Sequence, residues 1–207
     1  MNKPSYPHVQ RAAAILKNGG IIVYPTETVY GIGCDPLMEE AVERIQRLKQ
    51  RESSKAMLLL ADSLEMVENM AGPLDPLARR LGEHFWPGPV TMILKPFKKL
   101  PPYLFGSSGG VAFRVTSHRL AASIIHEFGR PIISTSANIT GQPPVVSYEQ
   151  AAEKFFGKVD LVIEPPGPLS GEPSAVIDIT SGRIEIIRSG GIDFEELQEV
   201  AVHDPAQ

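Results

Sequence analysis

Short, mostly apolar runs set apart by turns or helical patterns constrain this chain more than any other feature. They fall at Ile21–Tyr24, Ala56–Leu60, Thr91–Leu94, Val111–Val115, Ile132–Ser134, Val159–Ile163, Ala175–Ile179 and Ile184–Arg188. Runs this short read as buried strands, because a core helix needs a longer periodic stretch. Helical patterns lie between most of them. Residues 9–18 read as a helix stopped by Gly19-Gly20, where a left-handed turn suits glycine. Residues 38–50 place Ala41, Ile45 and Leu48 on one face. Further helices are expected at Ser63–Met70, Pro76–His84 (with Asp75 as N-cap), Arg119–Phe128 and Tyr148–Phe156. This alternation predicts an α/β fold around a largely buried, mixed sheet. The last two strands are split only by Thr180–Arg183, which predicts an antiparallel hairpin.

Length and composition narrow the classes. A chain of 207 residues with no internal repeat or convincing linker suits one domain. No run of eighteen apolar residues is present, so no membrane span is expected. The opening MNKPSYPHVQ lacks the apolar core of a signal peptide and points to the cytoplasm. A single cysteine, Cys34, excludes an internal disulfide and a multi-thiolate zinc site, and reads as a small core residue. The five histidines show no metal-ligand spacing.

With a net charge of −4, the chain nonetheless gathers Arg47, Lys49, Arg51 and Lys55 just before the strand at Ala56–Leu60. Such cations are commonly a solvated helix end. Here Lys49 and Arg51 are expected to leave the helix and enter a loop leading into a strand, within reach of an anion. Two polar segments, PTETVYG after Ile21–Tyr24 and STSAN after Ile132–Ile133, sit at strand ends, where α/β sheets form crevices. Ser134, Thr135, Ser136 and Asn138 offer hydroxyl, amide and backbone donors suited to phosphate or carboxylate oxygens. A turn and helix cap is the alternative. Neither G-x-x-x-x-G-K-[ST], G-x-G-x-x-G nor G-x-S-x-G occurs, so residues alone give an anion-suited crevice without a reaction.

The segments PTETVYGIG, LKQRESSK, FWPGPVT, VAFRV, PIISTSANITGQP, EPSAVID and IIRSGG occur in the order characteristic of the YrdC/Sua5 family, which the chain resembles over about residues 8–191. The resemblance implies a YrdC-like domain at 8–191, a twisted mixed sheet flanked by helices with a concave basic cavity, followed by a short tail at 192–207 and without the additional C-terminal domain of longer Sua5 members. Many members are threonylcarbamoyl-AMP synthases. They join L-threonine, bicarbonate or CO2, and ATP, releasing pyrophosphate, and their product feeds the threonylcarbamoyladenosine modification of tRNA.

Carried over by position, the family's K-x-R falls on Lys49 and Arg51, and its S-x-N on Ser136 and Asn138. The resemblance implies that these four, with Lys55 and Arg188, bind ATP, and that Lys49 and Arg51 also serve at the reacting phosphate. Thr26, Arg114 and Ser134 match positions that hold the amino acid. Mg²⁺ is expected, held mainly through ATP phosphates. tRNA or double-stranded RNA and tRNA-modification proteins are further partners the resemblance implies. Some relatives were described as RNA-binding or translation-associated proteins, which leaves a non-enzymatic module using the same cavity as the alternative. The chain departs from the family pattern at Glu52, at Lys55-Ala56-Met57, at Gly110, Pro144 and Ala175, and at Leu60, where many synthases carry histidine near threonine.

Overall fold

The structure, a computed structural model, describes residues 8–49, 57–138, 143–164, 169 and 171–202. Along the chain run α1 (Val9–Lys17), β1 (Ile22–Pro25), β2 (Tyr30–Cys34), α2 (Glu39–Lys49), β3 (Leu58–Ala61), α3 (Leu64–Ala71), α4 (Pro76–Phe85) and β4 (Val90–Leu94). Then follow β5 (Val111–Val115), α5 (Arg119–Phe128), β6 (Ile132–Ser136), α6 (Tyr148–Phe155), β7 (Leu161–Val162), β8 (Ala175–Asp178), β9 (Glu185–Arg188) and α7 (Phe194–Val202).

Helix boundaries follow the expected chemistry. Gly19 lies at φ +76°, and the Gly20 and Gly19 amides return to Ile15 O and Leu16 O, a Schellman stop for α1. Asp75 caps α4 by accepting from Ala78 N at 2.9 Å, with Pro76 in the first turn. Ser63 and Ser147 cap α3 and α6 in the same way.

The strands form one nine-stranded mixed sheet in the order β7-β1-β2-β6-β3-β5-β4-β8-β9. Pairs β1–β7, β3–β5 and β4–β8 are parallel and the others antiparallel, and β8–β9 is the expected hairpin. Four readings of the sequence need correction. Tyr30–Cys34, absent from the expected strands, is β2; its glycines mask the alternation of Tyr30, Ile32 and Cys34 toward the core. Lys49 does not leave the helix but ends α2, buried. Within the presumed tail, Phe194–Val202 forms α7, which buries Leu197 and touches α4 through Arg80 Nη2 to Ala201 O (3.0 Å). The strand read at Val159–Ile163 pairs only at Leu161–Val162.

The two sheet faces are unequal, and this positions the site. One face joins Val23, Tyr30, Ile32, Leu59, Met92, Phe113, Ile133 and Ile177 to the apolar sides of α2, α3, α4 and α6. The opposite face carries a smaller core in which Ile22, Tyr24, Leu60 and Ile132 meet Ala12, Ala13 and Leu16 of α1 and Leu120, Ile124 and Ile125 of α5. Strand residues alternate between faces. Beside that smaller core the same face therefore presents Gly31 and Gly33 of β2, Ser134 and Ser136 of β6, Arg114 of β5, Thr91 of β4 and Arg188 of β9. Small and polar residues replace apolar ones where the α1–α5 cover ends.

Candidate active site

The turn after β1 organises one end of this face. Thr26 Oγ1 donates to Val29 O at 2.6 Å and accepts from the Thr28 and Val29 amides at 3.3 Å. Its hydroxyl is thus engaged in closing the turn, a local arrangement open to short hydroxyl side chains. A Cβ at Gly31 would lie 3.1 Å from Ser134 Oγ, 3.4 Å from the Tyr24 ring and 3.5 Å from Thr26 Cγ2, so these three side chains converge there. Tyr24 OH donates to Ser134 Oγ at 2.7 Å. Burial raises the phenol well above its ordinary pKa, so it keeps its proton.

Arg114 enters from β5 with only 4% of its surface exposed. Its Nε lies 3.3 Å from Glu27 Oε1, yet neither atom has a hydrogen-bond partner among the described residues. The pair is close in charge and poorly aligned for a hydrogen bond. Glu27 Oε2 is fixed from the other side by Thr116 Oγ1 at 2.5 Å. His118 caps α5 by accepting from Ala121 N at 3.4 Å, and burial lowers its pKa while Glu27 opposes that shift.

On the far strands, Arg188 Nε donates to Ser174 O at 2.8 Å and its Nη2 to Ser174 Oγ at 3.1 Å. Ser174 Oγ is in turn 3.1 Å from Thr91 Oγ1. Arg188 has a lowered pKa, chiefly from burial and then from the charge of Arg114, so the two guanidiniums share one electrostatic environment. Gly190, at φ +55°, lets the chain turn tightly beside β8: a Cβ there would meet Ala175 N at 2.2 Å.

At the end of β6, the Lys49 ammonium reaches three oxygens: Ser136 O, Asn138 O at 2.9 Å and Asn138 Oδ1 at 3.2 Å. Ser136 Oγ donates to Asn138 Oδ1 at 2.6 Å. The lysine of K-x-R thus meets S-x-N and braces its backbone. Arg51 and Lys55 lie outside the described residues.

The structure therefore gathers Thr26, Ser134 and Arg114 around one end of the face, sets Arg188 across it, and joins Lys49 to Ser136 and Asn138 at the strand end. The sequence reading missed Tyr24, Glu27, Thr116, Thr91 and Ser174. Glu27, a carboxylate between two threonines in a strand-end turn, was the one signal present. Leu60 is fully buried in the core under α1 and α5 and offers no polar group. At Gly110 a Cβ would strike Thr180 and Ile93, so the missing side chain has no room. Cys34 is a buried core residue. His84 and His126 face Glu196 and Asp62 at the surface, and no metal-ligating cluster of three or more His, Cys, Asp or Glu occurs among the described residues. No helix among them is long and apolar enough to cross a membrane.

A family model for Sua5, YciO and YrdC, described as "Telomere recombination", matches residues 14–190. The chain is 37% identical over 178 residues to the threonylcarbamoyl-AMP synthase of Cellvibrio japonicus, covering 86% of this chain and 94% of that one. It is 35% identical over 192 residues to that of Pyrococcus abyssi, covering 93% of this chain but 56% of the relative, so it spans little more than half that protein. Among solved structures, P. abyssi Sua5 complexed with L-threonine superposes with a TM-score of 0.86 at 36% identity, over 93% of this chain and 56% of that one. E. coli YciO gives 0.86 at 30% identity, over 95% of both chains.

Proposed function

Because the chain belongs to the Sua5/YciO/YrdC family, we propose that it is a threonylcarbamoyl-AMP synthase, using L-threonine, bicarbonate or CO2, and ATP, and releasing pyrophosphate. The observation that carries this reading is Arg114: a residue 4% exposed, with one off-axis carboxylate partner, on the sheet face that also presents Gly31, Gly33, Ser134 and Ser136. A buried cation so incompletely matched favours an incoming anion, and the threonine carboxylate supplies it.

The reaction joins two anions. The threonine amine adds to CO2 with loss of a proton, giving a carbamate. A carbamate oxygen then attacks the α-phosphorus of ATP, and pyrophosphate leaves. No covalent nucleophile is required, so positioning and charge stabilisation carry the work. Arg114 and Ser134 hold the amino acid beside the Thr26 turn. Arg188, fixed by Ser174, contacts the nucleotide. Ser136 and Asn138 bind phosphate oxygens from a backbone braced by Lys49, whose charge, with those of Arg51 and Lys55, offsets the triphosphate. Mg²⁺ would be held mainly through the ATP phosphates and would offset their charge there. The product serves tRNA modification in the cytoplasm, through tRNA and partner proteins.

Pyrophosphate release from ATP tests this, with threonine and bicarbonate omitted in turn. Release should require both, and valine, an isostere lacking the hydroxyl, should stay near background, since a site bonding that hydroxyl rejects it by on the order of 10⁴-fold. Turnover with valine equal to that with threonine refutes the substrate. No turnover with any amino acid, together with salt-sensitive RNA binding, selects the RNA-binding module instead.

A further inference from the structure

The Tyr24 ring spans a strand to reach its partner. Tyr24 belongs to β1 and Ser134 to β6, with β2 between them. On this face β2 carries only Gly31 and Gly33. A Cβ at Gly33 would lie 2.9 Å from Tyr24 Cε1, and one at Gly31 3.4 Å from Tyr24 Cζ. Both φ values are ordinary for a strand, so lack of space, not backbone conformation, demands glycine. The paired glycines form a bed along which the phenol reaches Ser134 Oγ at 2.7 Å.

The chemistry of that bond fixes what Ser134 presents. A phenol is a stronger acid than an aliphatic hydroxyl and is the donor between them. Ser134 Oγ accepts it, and no acceptor for the serine's own proton occurs among the described residues. The proton is left to point to a ligand. We propose that Tyr24 is a positioning residue that fixes the rotation of the Ser134 hydroxyl, so that Ser134 donates its own proton to an oxygen of the amino-acid substrate. This rests on the assignment of Ser134 to the amino acid. Burial supports the arrangement, since Tyr24 is fully buried and its raised pKa holds the phenol proton in place.

Calorimetric titration of L-threonine into wild type, Tyr24→Phe, Ser134→Ala and the double variant tests it. Phenylalanine keeps the ring on its glycine bed, and thermal denaturation of each protein verifies folding. Tyr24→Phe should weaken threonine binding about fivefold, the order of one organised hydrogen bond. In the Ser134→Ala background the same change should have no further effect, because Tyr24 acts through Ser134. ATP affinity should be equal in wild type and Tyr24→Phe. Equal threonine affinity in those two proteins overturns the proposal, and so do effects that multiply in the double variant, since simple loosening of the core acts without Ser134. Failure of wild type to bind threonine overturns the assignment of the amino-acid site itself.

Discussion

Replacing Glu27 by glutamine tests whether the Arg114 site is desolvated. The side chains of Glu27 and Arg114 are 14% and 5% exposed, with Oε1 and Nε 3.3 Å apart. At an effective dielectric of about 20, that separation gives a gross attraction of about 5 kcal/mol. Removing one member of a buried pair typically costs about 3–5 kcal/mol, because the other charge is left desolvated. Glutamine preserves the shape and still accepts from Thr116, and the Glu27 side chain keeps 14% exposure, so the cost falls just below that range, at about 2–3 kcal/mol. For a chain of this size that corresponds to a fall in melting temperature of about 5–10 °C. Urea denaturation at pH 7 without substrates measures it. Glu27→Gln combined with Arg114→Met should recover about 1 kcal/mol or more relative to Glu27→Gln alone, since neither charge is then stranded. A loss below about 0.5 kcal/mol in the single variant would place the pair with screened surface ion pairs and refute the desolvated site.

Lys49→Met should cost about 2 kcal/mol in denaturation by leaving the Ser136 and Asn138 carbonyls short of a donor. Arg47→Ala, an exposed position paired with Glu43, should change stability by less than about 0.5 kcal/mol, and equal losses would contradict the bracing role. Ser136→Ala should show a smaller ATP-dependent rise in melting temperature than wild type, because ligand stabilisation follows affinity; an undiminished rise removes Ser136 from the nucleotide site. Burial holds the His118 imidazole below its ordinary value of 6.5, so below that pH the unfolded chain takes up a proton that the folded chain refuses. The stability it contributes is complete above pH 6.5 and declines as pH falls. His118→Asn, which keeps a capping oxygen, should flatten the decline of the urea midpoint between about pH 7 and 5, and an unchanged slope would exclude His118 as its source.

Those groups were legible in the sequence to different degrees, for a physical reason. The strands expected at Ile21–Tyr24, Val111–Val115 and Ile132–Ser134, which match β1, β5 and most of β6, and the caps at Asp75 and Gly19 are local consequences of composition, so a one-dimensional reading finds them. β2 was lost because Gly31 and Gly33 face a tyrosine from the neighbouring strand, and their reason lies in packing, not in strand propensity. α7 was legible from the spacing of Phe194 and Leu197 but fell beyond the last family motif. The Tyr24–Ser134 bond joins residues 110 positions apart and the Lys49–Ser136 bond residues 87 apart, and no local pattern announces either. Family motifs carried Lys49, Ser134 and Ser136 to the site without revealing what each side chain touches.

The lysine shows most clearly how burial changes a reading of charge. Four cations before a strand suggested hands held out to a triphosphate. Lys49 instead donates to the Ser136 and Asn138 carbonyls and to the Asn138 side-chain oxygen and is 4% exposed, so its effect on a phosphate includes the shape of that backbone. Arg114 presents the opposite case: equally buried, it meets one carboxylate at a poor angle. A cation whose donors are matched by fixed oxygens stabilises the fold; one left partly unmatched stabilises whatever anion completes it. On one sheet face, then, the lysine shapes the end where the phosphates are proposed to lie, and the arginine keeps unmet bonding capacity where the amino acid is proposed to lie. Lys49→Met and an Arg114 variant should therefore differ in kind, the first read in unfolding and ATP binding together, the second chiefly in threonine binding.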